Sequence, residues 1–314
     1  MTTASQSTAA FRSRIDEALH NDQLRQNFRS AMTGIMARRA EQFPDDAQLQ
    51  ALREQARLVR ANALVRQPEL LEALEHKLTD NGIQVHWAES PDEANAIIRR
   101  ILVEADAKTV VKGKSMVSEE TGLNEHLERH GIEVVESDLG EYIIQLAEEP
   151  PSHIVAPAIH KNRREVAELF RRFHPEIPYT EDIDALTQTA RQILRDRFAN
   201  ADAGISGVNF AVAETGTLCL VENEGNGRLS TTAPRLHIAI TGIEKVVEKL
   251  SDVPPLLEIL TKSATGQPIT TYFNMISKPR QPGELDGPEA VHLVLLDNGR
   301  SRIRIDDQLL DTLR

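Results

Sequence analysis

Between Ile83 and Phe173 short runs rich in β-branched residues alternate with helical stretches, and few folds accept that pattern. IQVHWA leads into a helical stretch over 92–105, TVVKGK into one over 118–130, IEVVES into the short helical EYIIQLA, and HIVAPA into a helical stretch over 161–173. Parallel neighbours in a sheet need a crossover long enough to hold a helix, so such a pattern builds βαβ units. The expected fold class is α/β, a mixed, largely parallel sheet flanked by helices. From Gly204 the pattern changes. GVNFAVA and TLCLVEN are apolar runs joined by Glu214-Thr215-Gly216, which predicts a hairpin with antiparallel pairing. HIAITGIEKVV and VHLVLLD supply two further strands, while 262–288 reads as a long loop suited to a flap or an assembly contact.

The first eighty or so residues obey a different rule. Phe11, Ile15 and Leu19 fall four apart, and Leu49, Leu52, Ala56 and Val59 recur at steps of three and four, punctuated by Pro44 and Pro68. The chain therefore divides into a helical extension over 1–80, an α/β domain over 81–303 and the start of a linker over 304–314. The extension is either an oligomer arm or an ordinary set of amphipathic packing helices. The opening MTTASQSTAAFRSR holds no apolar run of signal-peptide or membrane-spanning length, so a soluble, cytoplasmic chain is expected. A net charge of −12 repels phosphate backbones, and 4% aromatic residues leave few stacking platforms, which argues against nucleic acid as a partner.

Three places carry candidate chemistry. Lys112 and Lys114 alternate about Gly113 at the end of an apolar strand, with Ser115 or Ser118 placed to cap the next helix. Either they form an anion pocket at the strand ends, or one of them is merely solvated or paired with Glu119 or Glu120. Glu214, at the hairpin tip with Thr215, Gly216 and Thr217, is a candidate base or nucleophile, although Glu-Thr-Gly-Thr is also an ordinary turn. In Gly225-Asn226-Gly227-Arg228 the glycines permit positive φ and close ligand approach, and the arginine suits a carboxylate; the alternative is a turn whose arginine meets a nearby acid. His160, after HIVAPA, either faces the strand-end crevice as a proton acceptor or caps and packs a helix. The histidines show no metal-ligand spacing, so no metal is expected. The single cysteine, Cys219 between Leu218 and Leu220, reads as a buried structural thiol.

These residues sit in long motifs. VVKGKSMVSEETGLNEHLERHGIEVVESDLGEYIIQLAEEPPSHIVAPAIHKNR, GVNFAVAETGTLCLVENEGNGRL, APRLHIAITGIEKVV, SATGQ and LDGPEAVHLVLLDNGRSRI closely resemble, in the same order, the lactate utilisation protein B family. The resemblance implies a lactate-utilisation (LUD) domain whose architecture looks like that of the sugar-phosphate isomerase and CoA-transferase superfamily. It implies an iron-sulfur subunit of a system oxidising L-lactate to pyruvate, beside a cysteine-rich subunit and a second LUD-domain subunit. In that family a ferredoxin-like region with two 4Fe-4S motifs follows the LUD domain. One cysteine cannot ligate such a cluster, so no cofactor is expected within these residues, and this chain alone is not expected to transfer electrons. The end inside IDDQLLDTLR reads as a cut at the domain boundary, the alternative being a short relative that has lost the redox part. The expected role is the LUD portion of that subunit, binding a small carboxylate such as L-lactate or a partner. The alternatives are a transferase or ligase with Glu214 as nucleophile and the glycine loop on a CoA or nucleotide phosphate, and a non-catalytic assembly scaffold.

Overall fold

A computed structural model describes residues 8–306 and 308–310; the beginning of MTTASQSTAAFRSR and part of the expected linker lie outside them. Four helices open the chain: α1 (Thr8–His20), α2 (Asp22–Gln42), α3 (Asp46–Val65) and α4 (Gln67–Asp80). Pro44 falls between α2 and α3, and Pro68 lies in the first turn of α4, where a missing N–H costs nothing. There follow β1 (Gln84–Ala88), α5 (Pro91–Glu104), β2 (Thr109–Lys112), α6 (Met116–Glu120), α7 (Leu123–Glu128), β3 (Glu133–Glu136), α8 (Leu139–Ala147), α9 (Arg163–Phe173), α10 (Ile183–Asn200) and β4 (Ala203–Ser206). The rest comprises β5 (Phe210–Val212), β6 (Thr217–Glu222), α11 (Asn226–Thr232), β7 (Leu236–Gly242), β8 (Val246–Val247), α12 (Val253–Thr265), β9 (Tyr272–Ile276), β10 (Ala290–Leu296) and α13 (Arg300–Arg304).

Six strands form one parallel sheet in the order β1-β10-β7-β4-β2-β3. Its central strands β10, β7 and β4 are buried almost throughout because both faces are covered, whereas β1 at one edge is partly exposed. On one face Ile98 and Leu102 of α5 and Leu123 and Leu127 of α7 pack on Ile205, Ile238 and Val294. On the other, Leu71, Leu74 and Leu78 of α4 join Leu218 and Val246 against Ala239, Val291 and Leu293. Leu218 and Val246 belong to a second sheet, ordered β8-β5-β6-β9, in which β5 and β6 make the expected antiparallel hairpin. Its far side closes over Phe210, Val212 and Cys219 with Val253 and Leu256 of α12 and Ala56 of α3. Cys219 is fully buried, and burial pushes its thiol up to about 12, the inert state expected of it. Around β2 and β3 a further core gathers Tyr142, Phe170, Leu186 and Leu194 from α8, α9 and α10.

Three elements depart from the sequence reading. HIVAPA is no strand: the amides of Val155 and Ala156 donate to the His153 ring, and Ser152 donates to the Pro157 carbonyl, so the segment satisfies its backbone locally. The stretch read as loop over 262–288 contains β9, which pairs antiparallel with β6 from Leu218↔Ile276 to Glu222↔Tyr272. The sequence AGIS, too short and glycine-broken to stand out, is β4 in the middle of the main sheet. Gly204 is required there, because a Cβ would sit 1.7 Å from the Ser230 carbonyl oxygen of α11.

Candidate functional site

The order of the parallel strands locates a crevice. From β2 the chain crosses outward to β3, whereas from β4 it proceeds the other way to β7, although β2 and β4 are neighbours. Connections leaving in opposite directions open a gap at the carboxyl ends of the two strands, the usual ligand position in open α/β sheets. A cavity of about 460 Å³ lies there, walled by Lys114 and Ser115 after β2, Ser206 and Gly207 at the end of β4, and Asn226 and Gly227 of α11. Ile154 and Val155, from the loop after α8, line it too and are exposed.

Besides Lys245, which pairs with Glu244 at 3.6 Å, the crevice is lined by the cation Lys114. Its side chain is 21% exposed, yet its ammonium nitrogen is buried without a hydrogen-bond partner, and the nearest carboxylate oxygen, Glu141 Oε1, stands at 3.5 Å. Burial pushes Glu141 up to about 6, the charge of Glu136 adds to that, and Lys114 offsets part of it. Ser115 caps α6, its Oγ accepting from the Ser118 amide at 3.3 Å. On the β4 side the Ser206 hydroxyl shares a 2.8 Å hydrogen bond with His237 Nε2. His237 is fully buried on β7, and burial lowers its pKa to about 3, so the ring is neutral. Its Nδ1 has no partner. An orphaned lone pair is cheaper to bury than an orphaned N–H, which favours Nε2–H as donor and leaves the serine proton free to point elsewhere.

Lys112 takes the paired alternative. Fully buried, its ammonium lies 2.8 Å from Glu136 and 3.3 Å from Glu119 and donates to Ser118 Oγ at 3.1 Å. Burial opposes its charge, but the two carboxylates outweigh that and raise its pKa. It ties β2 to β3 and α6 and does not line the crevice.

The glycine loop divides. Gly225, at φ 82°, starts α11, and the amides of Gly225, Gly227 and Arg228 all donate to the Glu222 carboxylate, at 2.6, 3.3 and 3.2 Å. The donors that suggested an anion site thus hold an anion of the chain itself, and Asn274 Nδ2 donates to the same carboxylate at 3.2 Å. Sequence reasoning missed Glu222; its signal was a carboxylate at a strand end just before a glycine-led helix start. Asn226 and Gly227 still face the crevice, whereas Gly225 and Arg228 line a neighbouring cavity, and the Arg228 guanidinium lies 4.7 Å over the Tyr272 ring.

The structure does not bring the hairpin tip to the crevice. Glu214 Oε2 accepts from the Leu250 amide at 3.1 Å, Asn81 Nδ2 donates to the carbonyls of Thr215 and Gly216, and Thr217 shares a 3.0 Å bond with Ser277. That places the tip beside the turn entering β1, at the amino end of that strand, while the crevice opens at carboxyl ends. Thr215, Gly216 and Thr217 form a structural turn there. His160 likewise stays out of the crevice lining. Its Nδ1 bonds Ser152 Oγ at 2.6 Å and its Nε2 bonds Glu149 at 2.8 Å, so the ring pins the loop after α8. Among the described residues no cluster of histidine, cysteine and acidic side chains is arranged to hold a metal ion. A 4Fe-4S cluster does not fit these residues, whose one thiol is buried in the second sheet. No helix among them is long and apolar enough to cross a membrane.

Comparisons with known proteins agree with the motifs. Lactate utilization protein B of Bacillus velezensis is 43% identical over 297 residues, covering 94% of this chain and 62% of that protein. The Bacillus subtilis protein of the same name is 41% identical with the same coverage. The Escherichia coli protein named uncharacterized electron transport protein YkgF is 40% identical over 98% of this chain and 64% of its own length. This chain therefore spans somewhat under two thirds of those relatives. Among solved structures, a DUF162 family protein from Deinococcus radiodurans aligns over 73% of this chain and 98% of its own with a TM-score of 0.42 and 16% identity. Residues 71–296, which run from α4 to the end of β10 and include every wall of the crevice, match the LUD domain, and the chain belongs to that family.

Proposed function

We propose that this chain is the LUD-domain portion of a protein of lactate utilisation, and that the crevice binds a small hydroxy or keto acid such as L-lactate or pyruvate. One observation carries the reading: a buried lysine ammonium without a hydrogen-bond partner, Lys114, with Glu141 at 3.5 Å, in a cavity at the strand-end switch point. A carboxylate placed on Lys114 would gain a charge-assisted hydrogen bond that the folded chain leaves unmade. The Ser206 hydroxyl and the backbone at Gly207 and Gly227 are candidate neighbours for the ligand's second oxygen. The names of the relatives supply the substrate class and the context. Under this reading 4Fe-4S clusters and electron transfer belong to the part of the relatives that this chain does not span, and a cysteine-rich subunit and a second LUD-domain subunit are its partners.

The test is calorimetric titration of the chain with L-lactate and with pyruvate. Binding of either acid that weakens about tenfold or more in Lys114→Ala, with the variant's melting temperature retained, is expected from the loss of one charged hydrogen bond. Equal affinity in the variant would remove Lys114 from the site, and no heat with either acid would remove these ligands.

A further inference from the structure

Behind the glycine loop, on the side away from the crevice, lies a second and larger cavity of about 810 Å³. Its floor is apolar: Ala190, Leu194 and Phe198 recur at i, i+4 and i+8 along α10 and face Leu229 and Ala233 across from them. Its rim is cationic. Arg191 and Arg195, one turn apart on α10, stand with Arg228 of α11, and all three are exposed. Among the described residues none of the three takes part in an ion pair, although the chain carries 48 acidic against 36 basic side chains. Elsewhere arginines find acids: Arg300 meets Glu120 and Glu244, Arg197 meets Glu133, and Arg280 meets Glu289. Three guanidinium groups without an ion pair around one apolar hollow, in a chain with an excess of acid, are an arrangement suited to binding an anion.

The same walls define the ligand. Arg228 lies with its guanidinium 4.7 Å over the Tyr272 ring, and both residues line the cavity. The acid on this wall, Glu224, accepts from the Leu139 amide at 3.2 Å. Three cations exceed what one monocarboxylate needs and match a dianionic head, and an apolar floor asks for a body that leaves water. We propose that this cavity is a second binding site, for a phosphate-bearing molecule with an apolar or aromatic body, gripped by Arg191, Arg195 and Arg228. It is separate from the crevice, sharing with it only the Glu224 and Asn226 segment of the wall, and does not depend on the lactate reading.

Three probes test it on the chain as it stands: ADP, dodecyl phosphate and inorganic phosphate, titrated into wild type, Arg191→Ala/Arg195→Ala and Lys114→Ala. The expected result is that one organic phosphate binds at least about tenfold more tightly than inorganic phosphate, loses about tenfold or more in the double arginine variant, and is unchanged in Lys114→Ala. Preference for ADP identifies an aromatic body and preference for dodecyl phosphate an alkyl one. Because both α10 arginines are exposed, the double variant should melt with wild type, and a matching melting temperature separates lost binding from lost folding. Organic probes that bind no better than inorganic phosphate, or equally well without the two arginines, overturn the proposal. Loss of binding in Lys114→Ala instead would assign the probe to the crevice.

Discussion

Glu141 shows how far one buried side chain can report on its surroundings. It is 5% exposed beside Lys114, and its carboxyl is raised to about 6 from an ordinary value near 4.5. A carboxyl whose pKa is higher in the folded chain binds its proton more tightly there, so its stabilising contribution is complete below the ordinary value and is lost as pH rises through about 6. The stability of wild type relative to Glu141→Gln should therefore fall between pH 4.5 and pH 7, by roughly 1 kcal/mol once the shift is discounted for solvent screening. Denaturant titrations of both proteins at the two pH values measure it. A difference that stays flat would mean that folding leaves this carboxyl's pKa where it was, and one that rises would mean that Lys114 holds it charged.

Within an element, the start of α11 depends on a side chain from outside it. Seven residues make a helix too short to stand on propensity, and its first amides are satisfied by Glu222 at the end of β6. Glu222→Ala would strand those donors and release Asn274, at an expected cost of about 1–3 kcal/mol. Faster amide hydrogen exchange at Gly225, Gly227 and Arg228 than in wild type is the local signature. Unchanged protection at all three amides would show that Glu222 does not hold them. Because the segment walls both cavities, its loosening should also weaken whichever anion either of them binds.

Across the whole molecule, the helical extension is not of one kind. Leucines of α4 are central to the core beneath the main sheet, with Leu74 and Leu78 fully buried, whereas α2 buries no residue completely and leans on α12. Leu74→Ala should cost about 2–5 kcal/mol, since it empties a packed site. Removal of residues 1–42 should cost less and leave a single cooperative transition. Thermal melts of the two variants decide the matter; a truncated protein that melts below Leu74→Ala would mean that α1 and α2 carry more of the fold than their burial indicates.

What the sequence determined by itself was the kind of layer structure and the chemistry on offer. Alternating apolar runs and helices forced a parallel sheet, the run-turn-run at Glu214 forced a hairpin, and the inert setting of Cys219 followed from its apolar neighbours. Periodicity is local, and these properties are local too. The central strand β4 was not legible, because four residues containing a glycine become a strand only when α11 and two neighbouring strands close on them. Nor were the roles of like residues. Lys112 and Lys114, two positions apart, differ because one meets Glu136 and Glu119 and the other meets the crevice. The amides of the glycine loop hold an anion of the chain itself, and that depends on β6 ending with Glu222 under the helix. Partners distant in sequence meet only when the sheets stack, so tertiary structure alone decided which charges found hydrogen-bond partners within the chain and which did not.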